Sequence, residues 1–261
     1  TYATPALPQG MVAKDSLCYV DGGDFIINEY RVSMGLTVDD KPKTLISMGA
    51  YVIIMPDKKY INTADLSDYG SIEASVTTTT TVTFELCKND GSLYSDTVVS
   101  ATEPENKNNL DLWIDTSAVP HTLKQYSSSS SMWVSIPTTY VKISSPGIGK
   151  PFSQYDGVTI SGVQTLFDLN NTMVIQACGD DYIVVVGILD VLTTQTEAVT
   201  VKRTMPDMDF VIESNNRLWG CKYGVNENGV LNEIYASKLG DFKNWNCFMG
   251  ISTDSYAASC G

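Results

Sequence analysis

Hydrophobic and polar residues alternate with a period of two along most of this chain, the pattern of strands with one buried face. Val82, Phe84 and Leu86 alternate with Thr83 and Glu85, and Asn89-Asp90-Gly91 supplies turn residues for a hairpin that resumes at Leu93 and Tyr94. Leu110, Leu112 and Ile114 alternate with Asp111 and Asp115, while 133–136 and 140–143 flank Pro137-Thr138-Thr139; each suits a sheet with one wet face. Residues 173–177, the turn Gly179-Asp180-Asp181 and residues 182–186 predict a second hairpin, with a return strand apolar enough to be buried on both sides. Helical periodicity is short everywhere, so helical turns are predicted only over 64–69, behind Thr63, and after Pro120. The Thr run 77–81 reads as a strand extension and the Ser run 127–131 as a loop. The chain is therefore expected to be all-β.

The sequence also resembles itself. Residues 60–72 lie on 234–245 with one residue of slack: both read as strand, hydroxyl (Thr63, Ser237), Leu, Asp (Asp68, Asp241), aromatic, then a large apolar residue (Ile72, Trp245). Upstream of each is a further strand with a tight turn, 51–55 before Pro56-Asp57-Lys58-Lys59, and 216–221, containing Trp219, before Asn226-Glu227-Asn228-Gly229. Such a unit, an antiparallel hairpin ending in a polar turn with a buried anchor, is the build of a propeller blade and cannot bury its face alone. The Thr or Ser and the Asp are expected to satisfy backbone donors in the turn, and Trp245 or Ile72 to plug the gap between blades. The texture between the copies differs. The predicted organisation is a propeller-like blade-repeat domain, a whole ring or part of one, over 1–72 and 163–261, with a small inserted β-sandwich or barrel over 73–162.

Composition narrows the function. Charged residues make up 18% of 261, and 17 Lys+Arg against 30 Asp+Glu leave a net charge of −13. That sign repels phosphate and argues against a surface that grips nucleic acid. The longest apolar run, 182–189, is far short of the roughly 20 residues of a membrane helix. Thr1 is not Met and no leader opens the chain, so it is expected to be processed or part of something longer. Six cysteines without a C-x-x-C pair are expected to be mostly free, buried thiols.

Candidate chemistry is sparse. His121 is the sole histidine, in a polar stretch where a solvated loop residue is expected. Gly250-Ile251-Ser252-Thr253-Asp254 lacks the second Gly of a nucleophile elbow. Gly147-Ile148-Gly149-Lys150 is followed by Pro151 where a phosphate loop needs Ser or Thr, and so reads as a turn. Asp207 and Asp209, by period two, fall on one side of a strand and Asp180 and Asp181 in a turn; spacing alone does not make either a glycosidase pair. Asp21-Gly22-Gly23-Asp24 and 226–229 offer oxygens but not a twelve-residue calcium loop. Trp113 and Trp133 are the candidate glycan platforms, against a role in core packing. No catalytic residue, cofactor or metal is expected.

The segments Pro206–Val211, Asn215–Cys221 and Asn232–Trp245 carry the idiom N-R-L-W-G … I-Y-A-S-x-L-G-D-x-x-N-W. It resembles that of tail and virion structural proteins of bacteriophages and prophages, especially from gut Firmicutes, and 48–63 looks like an earlier part of the same proteins. The resemblance covers about half the chain. It implies β-propeller blades with Asn62, Thr63, Asp68, Trp219, Ser237, Asp241 and Trp245 as the blade signature. It also implies a non-enzymatic structural role in a phage tail or tail-like particle, with other virion proteins as partners and a homo-oligomeric ring as the assembly. The alternatives are a receptor-binding module for host-surface glycan and, behind it, a polysaccharide-degrading enzyme. Such a protein would be made in the bacterial cytoplasm and reside in the virion, where acidic lumen walls would let DNA slide past.

Overall fold

The computed structural model describes residues 4–94, 97–118, 121–136, 139–189, 193–227 and 229–259, with Asn226 described by its backbone alone. The chain is all-β, in six small sheets. Among the described residues the sheets close into neither a barrel nor a propeller ring, and no helix is long and apolar enough to cross a membrane. Contacts divide the chain into two compact units, 1–74 with 204–261, and 75–203.

In the first unit, β1 (Pro8–Ala13), β2 (Leu17–Asp21), β3 (Asp24–Ile27) and β4 (Tyr30–Ser33) form an antiparallel meander in sequence order. A second follows with β5 (Thr44–Met48), β6 (Tyr51–Met55), β7 (Lys59–Asn62) and β8 (Tyr69–Ser71). The second sheet is covered on both faces, which is why β6 reads Tyr-Val-Ile-Ile-Met with no polar alternate. Leu45, Val52, Ile54 and Ile61 pack with Cys18, Val20, Phe25 and Ile27 of the first sheet. The residues of opposite parity, Ile46, Met48, Ile53 and Met55, face the other way.

The second unit holds β9 (Ala74–Thr77), β10 (Val82–Cys87), β11 (Thr97–Ser100), β12 (Leu112–Asp115), β13 (Thr122–Ser127), β14 (Met132–Ser135), β15 (Tyr140–Ser144), β16 (Gly157–Ser161), a 3-10 turn (Phe167–Leu169), β17 (Thr172–Val174), β18 (Ala177–Gly179), β19 (Tyr182–Val186), β20 (Thr193–Gln195) and β21 (Thr200–Arg203). Its sheets run β18-β19-β15-β10-β20, β11-β12-β13-β14 and β17-β16-β21-β9. The chain therefore does not leave this unit at residue 163, as expected from sequence, but at 203. The reason is pairing: β16 hydrogen-bonds to β21 and β10 to β20, which ties 163–203 to the strands before it.

The chain returns to the first unit as β22 (Phe210–Ser214), β23 (Arg217–Asn226), β24 (Gly229–Ala236) and β25 (Tyr256–Ser259), a third antiparallel meander in sequence order. Leu218, Phe242 and Trp245 join Ile46, Met48, Ile53, Met55 and Ile72 in one buried cluster, so the third sheet packs on the open face of the second. The three meanders thus stack in chain order. Their first strands are neighbours, with β5 against both β1 and β22. At the first junction Lys43 donates its backbone N–H to the Gln9 carbonyl at 2.7 Å, and a Cβ on Gly10 would collide with the Lys43 carbonyl. Only glycine permits that approach.

Several local expectations change. Residues 64–69 form no helix: Asp65 accepts the N–H and hydroxyl of Ser67 and closes a tight turn instead. Pro120, where the second helical turn was expected, lies outside the described residues, and the strand β13 begins at Thr122. The Asn89-Asp90-Gly91 turn forms, with the Gly91 N–H on the Lys88 carbonyl, the Lys88 N–H on the Ser92 carbonyl and a bridge between Cys87 and Leu93; residues 95 and 96 lie outside the described residues. β9 ends at Thr77; Thr78 is buried, and its hydroxyl accepts the Val199 N–H rather than extending the strand. β19 is buried on both sides as expected, with Ile183, Val184 and Val185 fully covered between β18 and β15. Its hairpin partner is narrower than 173–177, since Thr172–Val174 pairs with β16 and only Ala177–Gly179 with β19.

Candidate functional site

The two copies of the sequence repeat fold in one register. Tyr51 pairs with Asn62 and Trp219 with Ala236; the next residue in each, Thr63 or Ser237, donates its N–H to the carbonyl of Ala50 or Leu218 at 2.8 and 2.9 Å. The hydroxyls diverge slightly. Thr63 Oγ1 donates to the same Ala50 carbonyl, whereas Ser237 Oγ accepts the Leu218 N–H at 3.0 Å in a fully buried setting. Each Asp organises its turn. Asp68 accepts Tyr51 Oη at 2.8 Å and Asn62 Nδ2 at 3.2 Å, while Asp241 accepts the Lys243 N–H at 3.0 Å and Asn244 Nδ2 at 2.6 Å. The Asp68 bond, helped by burial, pushes the Tyr51 phenol above its usual range.

Beyond the Asp the copies part. In the second meander β8 follows Asp68 at once, but in the third the fourth strand arrives only at Tyr256. Arg217 holds the intervening loop by donating to the carbonyls of Ser237, Ser252 and Asp254. Ile72 and Trp245 are both buried plugs, yet not equivalent ones: they enter the same layer, between the second and third sheets, from opposite sides. Trp245 is 2% exposed and its Nε1 donates to the Phe242 carbonyl. Phe242 in turn lies against Tyr51 and Tyr60, at 5.0 and 5.2 Å between ring centroids, and Lys243 Nζ sits 4.0 Å over Tyr60. In the second meander the residue that packs back toward the preceding sheet is Leu66.

The candidate catalytic and ligand groups have structural partners. Asp207 and Asp209 precede β22 and converge on Lys222, at 3.0 and 2.9 Å. Lys222 and the Tyr223 N–H hold the Asp209 carboxyl below its usual range, the wrong direction for a general acid at neutral pH. Asp21 and Asp24 face each other across the Gly22-Gly23 turn and share Arg31 at 3.2 and 2.7 Å. The other oxygen-rich turn, 226–229, falls partly outside the described residues. Asp181 accepts the Gly147 N–H, and 145–150 is a turn. Among the described residues no three His, Cys, Asp or Glu are grouped to hold a metal. Five described cysteines are free, with burial raising the Cys87 thiol to about 12; Cys260 lies outside the described residues. His121 is half-buried rather than solvated and lines an open cavity of about 480 Å³ with Leu166, Phe167, Asp168, Met173 and Ile188.

Trp113 and Trp133 meet on one face of the β11–β14 sheet. Cross-strand pairing sets Trp113 beside Lys124 and Tyr126 beside Trp133, and the indoles pack edge to face at 5.4 Å. Trp113 is only 5% exposed, donates Nε1 to the Ser100 carbonyl and carries Lys124 Nζ 4.6 Å over its ring. It is a packing residue, not an open platform. Trp133 is half-buried, flanked by Tyr126, with its buried Nε1 unpartnered. Lys124 and Ser117 hold the nearby Asp115 carboxyl down at about 2.

The feature that sequence reading missed is a surface. On the third sheet the residues facing away from the second include Phe210, Ile212, Tyr223, Val225, Val230, Ile234 and Tyr256, all exposed. The signal was present: Phe210 and Ile212 share one side of β22, and Trp219, Cys221, Tyr223 and Val225 one side of β23, so a single parity carries a run of apolar residues. No family model, no curated protein and no solved structure matches the chain.

Proposed function

We propose that the chain is a non-enzymatic structural component of a phage tail or tail-like particle, made in the bacterial cytoplasm and incorporated into the virion with other tail proteins. In this reading the first unit contributes three consecutive blades to a propeller-type ring, and the second unit, inserted between the second and third, is a contact module. The observation that carries it is the ordered stack of three four-stranded meanders, with β1, β5 and β22 adjacent and the last sheet left open. Blades bury their faces only against neighbours, so an open terminal blade belongs to a larger assembly. The acidity drops out of the argument: β1, β5 and β22 together carry one carboxylate, Glu213, so the charge of −13 serves solubility rather than a DNA-repelling lumen. Mass spectrometry of particles purified from cells carrying this gene tests the proposal. Peptides from the chain at stoichiometric level with other tail proteins are expected; their absence from intact particles overturns it.

Host-glycan recognition is the second reading, favoured by the half-open Trp133 and Tyr126 pair, whose rings lie 5.4 Å apart. Glycan-array binding lost in Trp133→Ala would support it. A polysaccharide-degrading activity has less support, since the Asp207 and Asp209 carboxylates are engaged by Lys222.

A further inference from the structure

The outward face of the third sheet is an open apolar surface. Val225 is 79% exposed, Ile212 67% and Phe210 64%, with Tyr223, Val230, Ile234 and Tyr256 beside them. Phe210 and Tyr223 stack in parallel at 6.1 Å, which presents a flat aromatic step rather than scattered side chains. Together the seven residues leave on the order of 800 Å² open, about what one partner contributes to a standard stable interface and more than the ~300–600 Å² largest patch of a typical monomer.

Charge selects the occupant. By strand alternation the polar positions on this face are Ser214 and Asn232, both neutral. Arg217, the one charged strand residue of the same parity, turns its guanidinium onto three loop carbonyls at the end of the sheet. In a chain of net charge −13 an uncharged face lets two copies approach without like charges meeting. A two-fold axis sets the same patch against itself, so any charge on it would face its own image. The other end of the stack is built differently. The outward face of the first sheet has exposed Met11 and Leu17 but also the Arg31–Asp21–Asp24 ion network, which suits water.

We infer that this face is a self-interface: two copies pair through their third sheets, face to face about a two-fold axis, in the smallest cyclic assembly. The inference stands apart from the tail reading, because a monomer in solution would remove it and leave incorporation into particles untouched. Sedimentation equilibrium over a wide concentration range tests it. The expected result is twice the chain mass, with Ile212→Glu or Phe210→Asp weakening association at least about 30-fold by placing a charge in the desolvated centre. Both sites are exposed, so the circular dichroism of each variant should match the parent's, and its unfolding midpoint should match that of the parent at a dilution where the parent is monomeric. The same substitution on the first sheet, Met11→Glu, should leave the dimer intact. A monomeric parent, a mass above two copies, dimers that survive Ile212→Glu, or dissociation by Met11→Glu as well would each overturn the self-interface.

Discussion

Trp245→Ala is the perturbation that bears hardest on the packing between the second and third sheets. Its ring is 2% exposed in a cluster drawn from both sheets, Ile46, Met48, Ile53 and Met55 on one side and Leu218 on the other. Removing a buried indole withdraws about 200 Å² from apolar contact, some 5 kcal/mol at roughly 25 cal/mol per Å², and the observed range for Trp→Ala is about 3–5 kcal/mol. Loss of the Nε1 bond to the Phe242 carbonyl falls within the same range. The expected loss is about 4 kcal/mol. With a urea slope of about 2 kcal/mol per molar, the transition of the first unit moves down by about 2 M. Trp219 remains as a fluorescent reporter in that unit, and far-UV circular dichroism follows the sheets. Trp245→Phe, which keeps a ring in the layer, should cost less than half as much. A loss under about 1 kcal/mol in Trp245→Ala would refute the reasoning, because the residue would then not be wedged between two sheets.

Two further outcomes follow from the ion pairs. Lys43 and Asp57 are 2% and 3% exposed and 2.6 Å apart, so Lys43→Met strands a buried carboxylate and should cost about 3–5 kcal/mol at neutral pH, measured by urea unfolding. Burial pushes Asp57 up, but the bonds from Lys43 and Thr37 outweigh it and hold the carboxyl below its usual range. Its contribution is therefore present above the unfolded value near 4 and is lost as the pH falls through the lower folded value, so the Lys43→Met penalty should shrink in acid. Asp115 should titrate at about 2 in a carbon-13 carboxyl experiment, and in Lys124→Met it should move up toward the ordinary value of about 3.9. An Asp115 that titrates near 3.9 in the parent would dissolve the ion pair.

How far the sequence could be read depended on what each signal measures. Alternation is local, and it located β10, β12, β14 and β15 within a residue or two, while apolar runs located β6 and β19; β23 was found but runs five residues past the predicted end at 221. The turn chemistry of Thr63 and Ser237 was equally local, and their shared register was legible from two short stretches. Partner choice is not local. Nothing in Asn89-Asp90-Gly91 says that β10 will also pair with β15 and β20. For the same reason the sequence placed the return to the first unit at 163, where texture changes, although the strands up to Arg203 pair backward. The Ile72 and Trp245 correspondence failed because it matched residue size, while burial depends on which side of the layer a turn enters from. The open face was not legible because alternation shows which residues share a side of a strand, not whether another sheet covers that side.

The claim on which the rest depends is that the three meanders are successive repeats wedged around one axis. Electron cryomicroscopy of the assembled protein tests it most directly. The expected density has four-stranded sheets standing radially in chain order, with β1, β5 and β22 nearest the axis and the third sheet facing another copy. Sheets that instead run tangentially as the wall of a barrel, or a third meander detached from the second, would contradict it.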